Sequence, residues 1–306
     1  MTEQNITQEV NTNNSETVKL TLLLITTCSF VVFFYIMAVM MRIYFTNSSA
    51  REEVRYVLFA HMLITDVVYL FLSLFLFTIS FYPVSFPVPF CYIVITVAST
   101  SFKVTPYNLA LMSLERYIAI CFPLRHSEIC TFRRTIIAIG VIWAIGFIPN
   151  LVDLVVLSVS VDRSFFLLHV RCVRSTLRFT EVQNTIRDFV YITTFSLVGL
   201  IIIFTYIRIM VVAMKVGSGK ASAVKAGRTV ILHALQLLLC MSTFVYVLLE
   251  KILKEYITIM ILAINFCFFQ CLPRFLSPII YGLKDELFHK QMKTFLFCKA
   301  QKCGTI

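Results

Sequence analysis

Several charged residues of this chain stand inside or at the end of long apolar runs. Asp66 lies in one run, Lys103 lies in the next, and Glu115 and Arg116 stand together where that second run ends. A carboxylate or ammonium group in an apolar interior needs an opposite charge, a polar partner or a bound ion, or else it loses its own charge. These residues therefore indicate ion pairing or ligand binding in a water-poor interior.

Residue patterns typical of enzymes are missing from the sequence. The five histidines, His61, His126, His169, His233 and His289, are scattered, and no group of residues has the spacing of metal ligands. We therefore expect neither catalysis nor a bound metal centre.

The elements that must hold these charged groups are membrane helices. Of the 306 residues, 59% are hydrophobic and only 14% are charged, and the mean hydropathy is +0.86. An ordinary soluble domain is about one-quarter charged. The net charge of +11 does not indicate nucleic-acid binding, because the basic residues form short clusters between apolar runs and share no single face.

Seven continuous apolar runs are long enough to cross a bilayer, since about 20 helical residues span its hydrocarbon. They cover residues 20–45, 55–80, 91–121, 135–158, 187–214, 229–249 and 256–281. With the N-terminus outside, the cytoplasmic segments hold most of the lysines and arginines, as the positive-inside rule requires. The prediction is an all-α integral membrane protein, a seven-transmembrane helix bundle with its C-terminus in the cytoplasm.

The chain divides into three parts on this reading. Residues 1–19 form an extracellular tail, 20–283 the membrane domain, and 284–306 a cytoplasmic segment. Asn5 and Asn13 each begin an Asn-x-Ser/Thr triplet, so both are predicted glycosylation sites. The cytoplasmic segment begins with the spacing of a short amphipathic helix that lies on the membrane surface.

The cysteines on the two sides of the membrane have different expected chemistry. Of the ten cysteines, only Cys91 and Cys172 clearly share the outer, oxidising side, so we pair them in a disulfide. This bond would tie the second outer loop to the top of the third helix. On the inner side, Cys298 is a candidate for palmitoylation, and a free thiol is the alternative.

Three motifs lie near the inner ends of the third, sixth and seventh runs. They are "SLERYIAICFPLRH" at 113–126, "KAGRTVILHA" at 225–234 and "PRFLSPIIYGLKDELF" at 273–288. Together they resemble the signatures of rhodopsin-like (class A) G-protein-coupled receptors, specifically of odorant receptors, and most nearly of the fish-type group. Cys91 stands 25 residues before Arg116, as the disulfide cysteine of that family does. The resemblance extends from about residue 55 to 297.

The resemblance implies a chemosensory receptor in the plasma membrane. It would bind a small organic odorant in the outer half of the bundle and activate a heterotrimeric G protein, of the stimulatory type linked to cAMP. One alternative is a class A receptor outside olfaction, for a small metabolite or an acidic ligand. A transporter is less favoured, because the sequence lacks paired halves with interrupted helices.

A switch at the inner side is also implied by the resemblance. Glu115 would hold Arg116 at rest, and Arg116 would move toward Tyr206 and Tyr281 when a G protein docks. The alternative is that Arg116 only extends to the membrane surface as topology-setting charge. The further residues assigned to coupling are Tyr117, His233 and Pro278.

Asp66 lies about twelve residues into the second run and hence near mid-membrane. Receptors of this family use such an aspartate in a sodium-linked polar network, which here would include Asn265 and Ser277. Ser277 replaces the usual asparagine before the proline, which weakens that network. A neutral buried acid with a structural role is the alternative, and we expect no other cofactor.

Lys103 stands twelve residues after Cys91, or about 18 Å further along a helix. That depth matches the lower part of the family's ligand pocket. The lysine would contact a ligand, form an ion pair with Asp153 or Asp188, or stay neutral. The ligand-binding residues that we predict are Ser99, Phe102, Lys103, Tyr191, Thr194, Phe195, Met241, Phe244, Val245, Cys267 and Gln270.

Overall fold

A computed structural model describes residues 2–173, 180–215, 238, 265–276, 278, 288 and 290, with side chains from Glu16 onward apart from 49, 50, 213, 215, 265 and 269. The helices in chain order are α1 (Thr2–Thr46), α2 (Ser48–Glu52), α3 (Val54–Ser80), α4 (Val88–Cys121), α5 (His126–Ile129), α6 (Phe132–Ser160) and α7 (Glu181–Lys215). Two 3₁₀ turns cover Pro123–Arg125 and Arg163–Leu167. Two short strands are β1 (Phe86–Pro87) and β2 (His169–Val170).

Five of these helices are long and apolar enough to cross a membrane, namely α1, α3, α4, α6 and α7. Each contains one of the first five predicted spans, in order. The predicted sixth span, 229–249, lies outside the described residues apart from Leu238. Part of the seventh is described, as a π-helical turn at Asn265–Cys271 that continues as α-helix to Leu276. The predicted amphipathic helix falls outside the described residues, except for isolated positions.

The central helix of the described bundle is α4, which packs against α3, α6 and α7. Within the most apolar stretch of each helix, 61% of the residues are buried in α4, against 22% in α1 and in α6. Pro106 stands inside α4 and therefore removes one backbone hydrogen bond from its middle. A helix enclosed in this way can carry polar side chains that meet partners on all sides.

A close approach between α6 and α4 depends on Gly146. A Cβ atom at this position would lie 3.2 Å from Cγ2 of Val104 and 3.5 Å from Cγ2 of Thr100. Because glycine has no Cβ, the α6 backbone comes close enough for its carbonyl groups to reach side chains of α4. This contact positions the groups around Lys103.

Aromatic stacking holds the described part of the seventh span against α1 and α3. The ring of Phe275 lies 4.4 Å from that of Phe33, and the ring of Phe266 lies 4.2 Å from that of Phe77, both centroid to centroid. Such pairs contribute packing energy and fix orientation. They place the intervening residues of this segment, including Arg274, against the centre of the bundle.

The outer loop between α6 and α7 is fixed to the top of α4. Strands β1 and β2 pair antiparallel, with Phe86 opposite Val170. Directly beyond them, Cys91 in the first turn of α4 forms a disulfide with Cys172. The predicted pairing is therefore confirmed.

Candidate functional site

A cleft opens between the outer halves of α4, α6 and α7, and we call it the outer cleft. Its volume is about 680 Å³, including the open mouth. Its lining residues are Tyr92, Ile95, Thr96, Ser99, Lys103, Pro149, Asn150, Asp153, Gln183, Ile186, Arg187, Val190 and Tyr191. The mixture of apolar walls with a few converging polar groups is typical of small-molecule sites.

Lys103 reaches the outer cleft from α4 with only 5% of its surface exposed. Its Nζ donates to Oδ1 of Asn150 at 3.1 Å and to the backbone oxygen of Gly146 at 3.4 Å. Ser99 donates to the same oxygen of Asn150, at 3.2 Å. Both acceptors of these hydrogen bonds are neutral, and the carboxylate of Asp153 in the same cleft adds an opposite charge that acts on Lys103.

The two acids considered for Lys103 are placed differently. Asp188 forms an ion pair with its neighbour Arg187, with 3.1 Å between Nη2 and Oδ1. Asp153 lines the same cleft as Lys103, and its Oδ1 is buried with no hydrogen-bond partner among the described residues. Of the two acids, Asp153 is thus the one in the outer cleft that has an oxygen available for a further donor.

Near mid-membrane, Asp66 and Arg274 form a buried ion pair. We call this pair, together with Thr105, the polar core. Nε of Arg274 lies 3.3 Å from Oδ1 of Asp66, and the residues are 1% and 0% exposed. Thr105 of α4 donates to the same carboxylate oxygen at 3.1 Å. The aspartate on α3 is therefore matched by a positive charge from the seventh span.

Aromatic rings and a carbonyl group surround the guanidinium of Arg274. Its Cζ lies 3.8 Å from the ring centroid of Tyr69 and 5.1 Å from that of Phe102. Nη1 donates to the backbone oxygen of Gln270 at 3.1 Å. The side-chain oxygen of Gln270 in turn accepts from the hydroxyl of Tyr69 at 2.8 Å. Cation–π attraction and hydrogen bonding thus fix this side chain on several sides.

His61 joins three helices through hydrogen bonds. The indole Nε1 of Trp143 donates to Nε2 of His61 at 2.8 Å, and Nδ1 of His61 lies 3.1 Å from Oδ1 of Asn108. An indole nitrogen can only donate, so Nε2 accepts and the proton of the neutral ring is on Nδ1. This chain of contacts connects α6, α3 and α4 below the outer cleft.

At the inner end of α4, Glu115 is 8% exposed, and its Oε1 lies 3.1 Å from Nε2 of His126. Burial raises the pKa of the nearby Cys130 thiol, and the negative charge of Glu115 raises that pKa further. Arg116 follows directly and is half-buried. The contact expected between Glu115 and Arg116 stays a prediction.

Comparisons with known proteins agree with this architecture. Residues 37–281 match the family described as 7 transmembrane receptor (rhodopsin family). The chain is 30% identical to odorant receptor 131-2 of Danio rerio over 85% of its own length and 81% of that protein. It is 29% identical to olfactory receptor 52A5 of Homo sapiens over 62% of its own length and 63% of that protein.

The chain belongs to the rhodopsin family of G-protein-coupled receptors. Its 30% identity to the zebrafish protein places it with the odorant receptors of that family. It is therefore a multi-pass membrane receptor and not an enzyme, as the sequence predicts.

The predicted ligand-binding residues of the receptor separate into groups. Ser99, Lys103 and Tyr191 line the outer cleft. Phe102 packs against the rings of Tyr69 and Tyr191, with centroids 5.6 and 6.3 Å away. Two further predicted ligand residues lie elsewhere on α7, where Thr194 is hydrogen-bonded to Tyr107 and Phe195 packs with Val198. The predicted residues Met241, Phe244 and Val245 lie outside the described part of the chain.

The coupling residues of the receptor are described only in part. The ring of Tyr117 lies 5.7 Å from that of Phe204 on α7, and Tyr206 is half-buried on the same helix. Pro278 is buried. His233 and Tyr281 lie outside the described residues, as do Ser277 and the side chain of Asn265 of the predicted polar network.

Sequence reasoning missed several residues of the receptor's interior. Arg274 is the only charged residue in the predicted seventh span, and charge inside a span is itself a signal of function or pairing. The resemblance drew attention to the motif around it instead. Asn150 carried no comparable signal, since its role depends on how closely α6 approaches α4.

Proposed function

We propose that this receptor detects a small organic odorant, which binds in the outer half of the helix bundle and activates a heterotrimeric G protein. The named functions of the zebrafish and human relatives support the chemosensory role. By the same resemblance, the G protein is the stimulatory type that raises cAMP.

The observation that carries the ligand site is the buried ammonium group of Lys103 at the edge of the outer cleft. Neutral oxygens accept its hydrogen bonds at 3.1 and 3.4 Å, and a ligand with a carboxylate or another strong acceptor would add a charged partner from within the cleft. Apolar side chains such as Ile95 and Val190 offer the remaining surface to a hydrocarbon body. The same lysine favours our second candidate, a receptor for an acidic metabolite.

The membrane arrangement belongs to the same proposal. Spans six and seven complete a seven-helix bundle, and the segment from 284 onward begins as an amphipathic helix with Cys298 as a palmitoylation candidate. The N-terminal tail is extracellular and carries glycans at Asn5 and Asn13. The receptor resides in the plasma membrane.

Activation is a shift between two packings of the same helices. A ligand favours the active packing only to the extent that it binds that state more tightly. In that state Arg116 turns toward Tyr206 and Tyr281, and the inner end of the sixth span around His233 moves outward to admit the G protein. The half-buried position of Arg116 at the inner end of α4 is compatible with such a movement.

The test is a panel of carboxylic acids and their uncharged analogues applied to cells that express the receptor, with cAMP as readout. We expect the responses to acids to be strongly weakened in Lys103→Met while surface expression persists. Lys19→Met is the matched control, because Lys19 pairs with Glu16 on α1 and does not line the cleft. An unchanged dose–response curve in Lys103→Met would remove this lysine from the ligand site.

A second variant separates ligand binding from coupling. Arg116→Ala should bind the same ligands and lose the cAMP response. A normal cAMP response in Arg116→Ala would contradict the role of Arg116 as the switch.

A further inference from the structure

We propose that the guanidinium of Arg274 is the built-in counter-ion of Asp66 and takes the place of the sodium ion that the family resemblance predicts there. The inference concerns the polar core and goes beyond the proposed function, because it involves neither the odorant nor the G protein.

The charge balance of the polar core is the first argument. Asp66 supplies one negative charge, and Nε of Arg274 lies 3.3 Å from its Oδ1. Both residues are almost fully buried, where charges interact strongly because water does not screen them. A sodium ion beside the same carboxylate would face a fixed positive charge at close range. The residues present therefore do not fit a bound cation.

The rigidity of Arg274 is the second argument. Its Nη1 donates to the backbone oxygen of Gln270, and its Cζ lies 3.8 Å from the ring of Tyr69. The ring of Phe102 lies on a further side, 5.1 Å away. A side chain held by α3, α4 and its own helix does not leave to admit an ion from solvent. The aspartate is thus paired by a residue that cannot diffuse away.

Two oxygen atoms define the rival arrangement, in which sodium binds next to the arginine. Oδ2 of Asp66 and Oγ of Ser101 are buried and have no hydrogen-bond partner among the described residues. Oxygen atoms are the ligands that hard cations select. A neutral water molecule at either atom would satisfy it without adding charge, whereas sodium would add one. The two arrangements can be distinguished by whether sodium raises the thermal stability of the receptor.

The first experiment compares the thermal unfolding midpoint of the purified receptor in sodium chloride and in choline chloride at equal ionic strength. We expect equal midpoints for the wild type. A midpoint that is higher in sodium, with the difference abolished in Asp66→Asn, would overturn the proposal. This comparison needs no odorant and no G protein, so its failure is distinct from a failed cAMP response.

The second experiment removes the internal cation with Arg274→Gln. Asp66 then lacks its counter-ion, and sodium should raise the unfolding midpoint by several degrees at concentrations far above its dissociation constant. Arg274→Lys keeps the charge and should stay insensitive to sodium, as should Asp66→Asn combined with Arg274→Gln. A sodium-insensitive Arg274→Gln would contradict the proposal. If that variant does not fold, the wild-type comparison decides alone.

Discussion

Lys103 and Asp66 are both buried ionisable groups inside the bundle, yet their surroundings differ in kind. The ammonium group of Lys103 is held by the amide oxygen of Asn150 and a backbone carbonyl, at the edge of a cleft. The carboxylate of Asp66 is held by the guanidinium of Arg274, away from that cleft. The two hydrogen bonds of Lys103 go to neutral oxygens, with the carboxylate of Asp153 in the same cleft, whereas Asp66 is paired directly with a buried guanidinium.

The difference separates a binding role from a structural one. An ion pair between two fixed side chains is complete, and breaking it strands a buried charge. A charge at the edge of a cleft, in contrast, can also be reached by a ligand of opposite charge. We expect substitutions at Asp66 to act on stability and substitutions at Lys103 to act on ligand response.

The largest effect should follow from Asp66→Asn, which leaves the guanidinium of Arg274 buried without its carboxylate. We expect a loss of about 3–5 kcal/mol in the free energy of unfolding. The measurement is chemical or thermal denaturation of the purified receptor.

The matched control combines Asp66→Asn with Arg274→Gln, which removes both charges. The double variant should lose less stability than the two single losses added together, because the ion pair couples them. If the two losses in unfolding free energy simply add, the two side chains do not stabilise each other.

A smaller effect is expected from Lys103→Met, and on a different property. Stability should change little, because Asn150 keeps the hydrogen bond from Ser99. The potency of acidic ligands should fall by roughly 10- to 100-fold, the value of one hydrogen bond between charged groups. Dose–response curves for an acid and its methyl ester measure this, and equal losses for both would argue against a charge interaction.

Trp143→Phe tests a partly buried titratable group, His61, that is hydrogen-bonded to two neutral side chains. The change removes the 2.8 Å hydrogen bond to His61 and keeps an aromatic ring. A loss of about 1 kcal/mol in unfolding free energy is expected, well below that of Asp66→Asn. Ile142→Val, at a buried neighbour, controls for general packing loss. A loss as large as that of the ion pair would remove the contrast between neutral and charged contacts.

The smallest effect should appear at the inner end, at the thiol of Cys130 between α5 and α6. The carboxylate of Glu115 raises the pKa of Cys130, so Glu115→Gln should lower that pKa. More thiolate is then present at a given pH, and alkylation of Cys130 should be a few-fold faster near neutral pH. Rates of maleimide labelling across a pH series measure the change. A slower reaction would have the wrong sign for a charge effect.

The first five spans were predictable because each depends on continuous apolar sequence, which the bilayer requires whatever the tertiary contacts. The disulfide was predictable too, since topology left Cys91 and Cys172 together on the oxidising side. The partner of Asp66 could not be predicted in this way. The family resemblance pointed to Asn265 and Ser277, whose side chains lie outside the described residues, and did not point to Arg274, which the packing of aromatic rings around the seventh span brings in.

The role of Asn150 could not be predicted for a similar reason. Its side chain meets Lys103 only because Gly146 lets two backbones approach, and sequence spacing within one helix carries no information about that distance. Pairings between helices depend on packing, which single-sequence patterns do not specify.

Pro106 stands between the residues of α4 that face the outer cleft and the inner end where Arg116 lies. With one backbone hydrogen bond removed at this point, the two halves of the helix are joined by a softer segment than elsewhere. The inner half forms an arm of about 15 Å from Pro106 to Arg116. A pivot of about 5° at the proline would carry the far end of that arm by about 1.3 Å. A small tilt of α4 near Lys103 would thus become a larger displacement of its inner end, near Arg116.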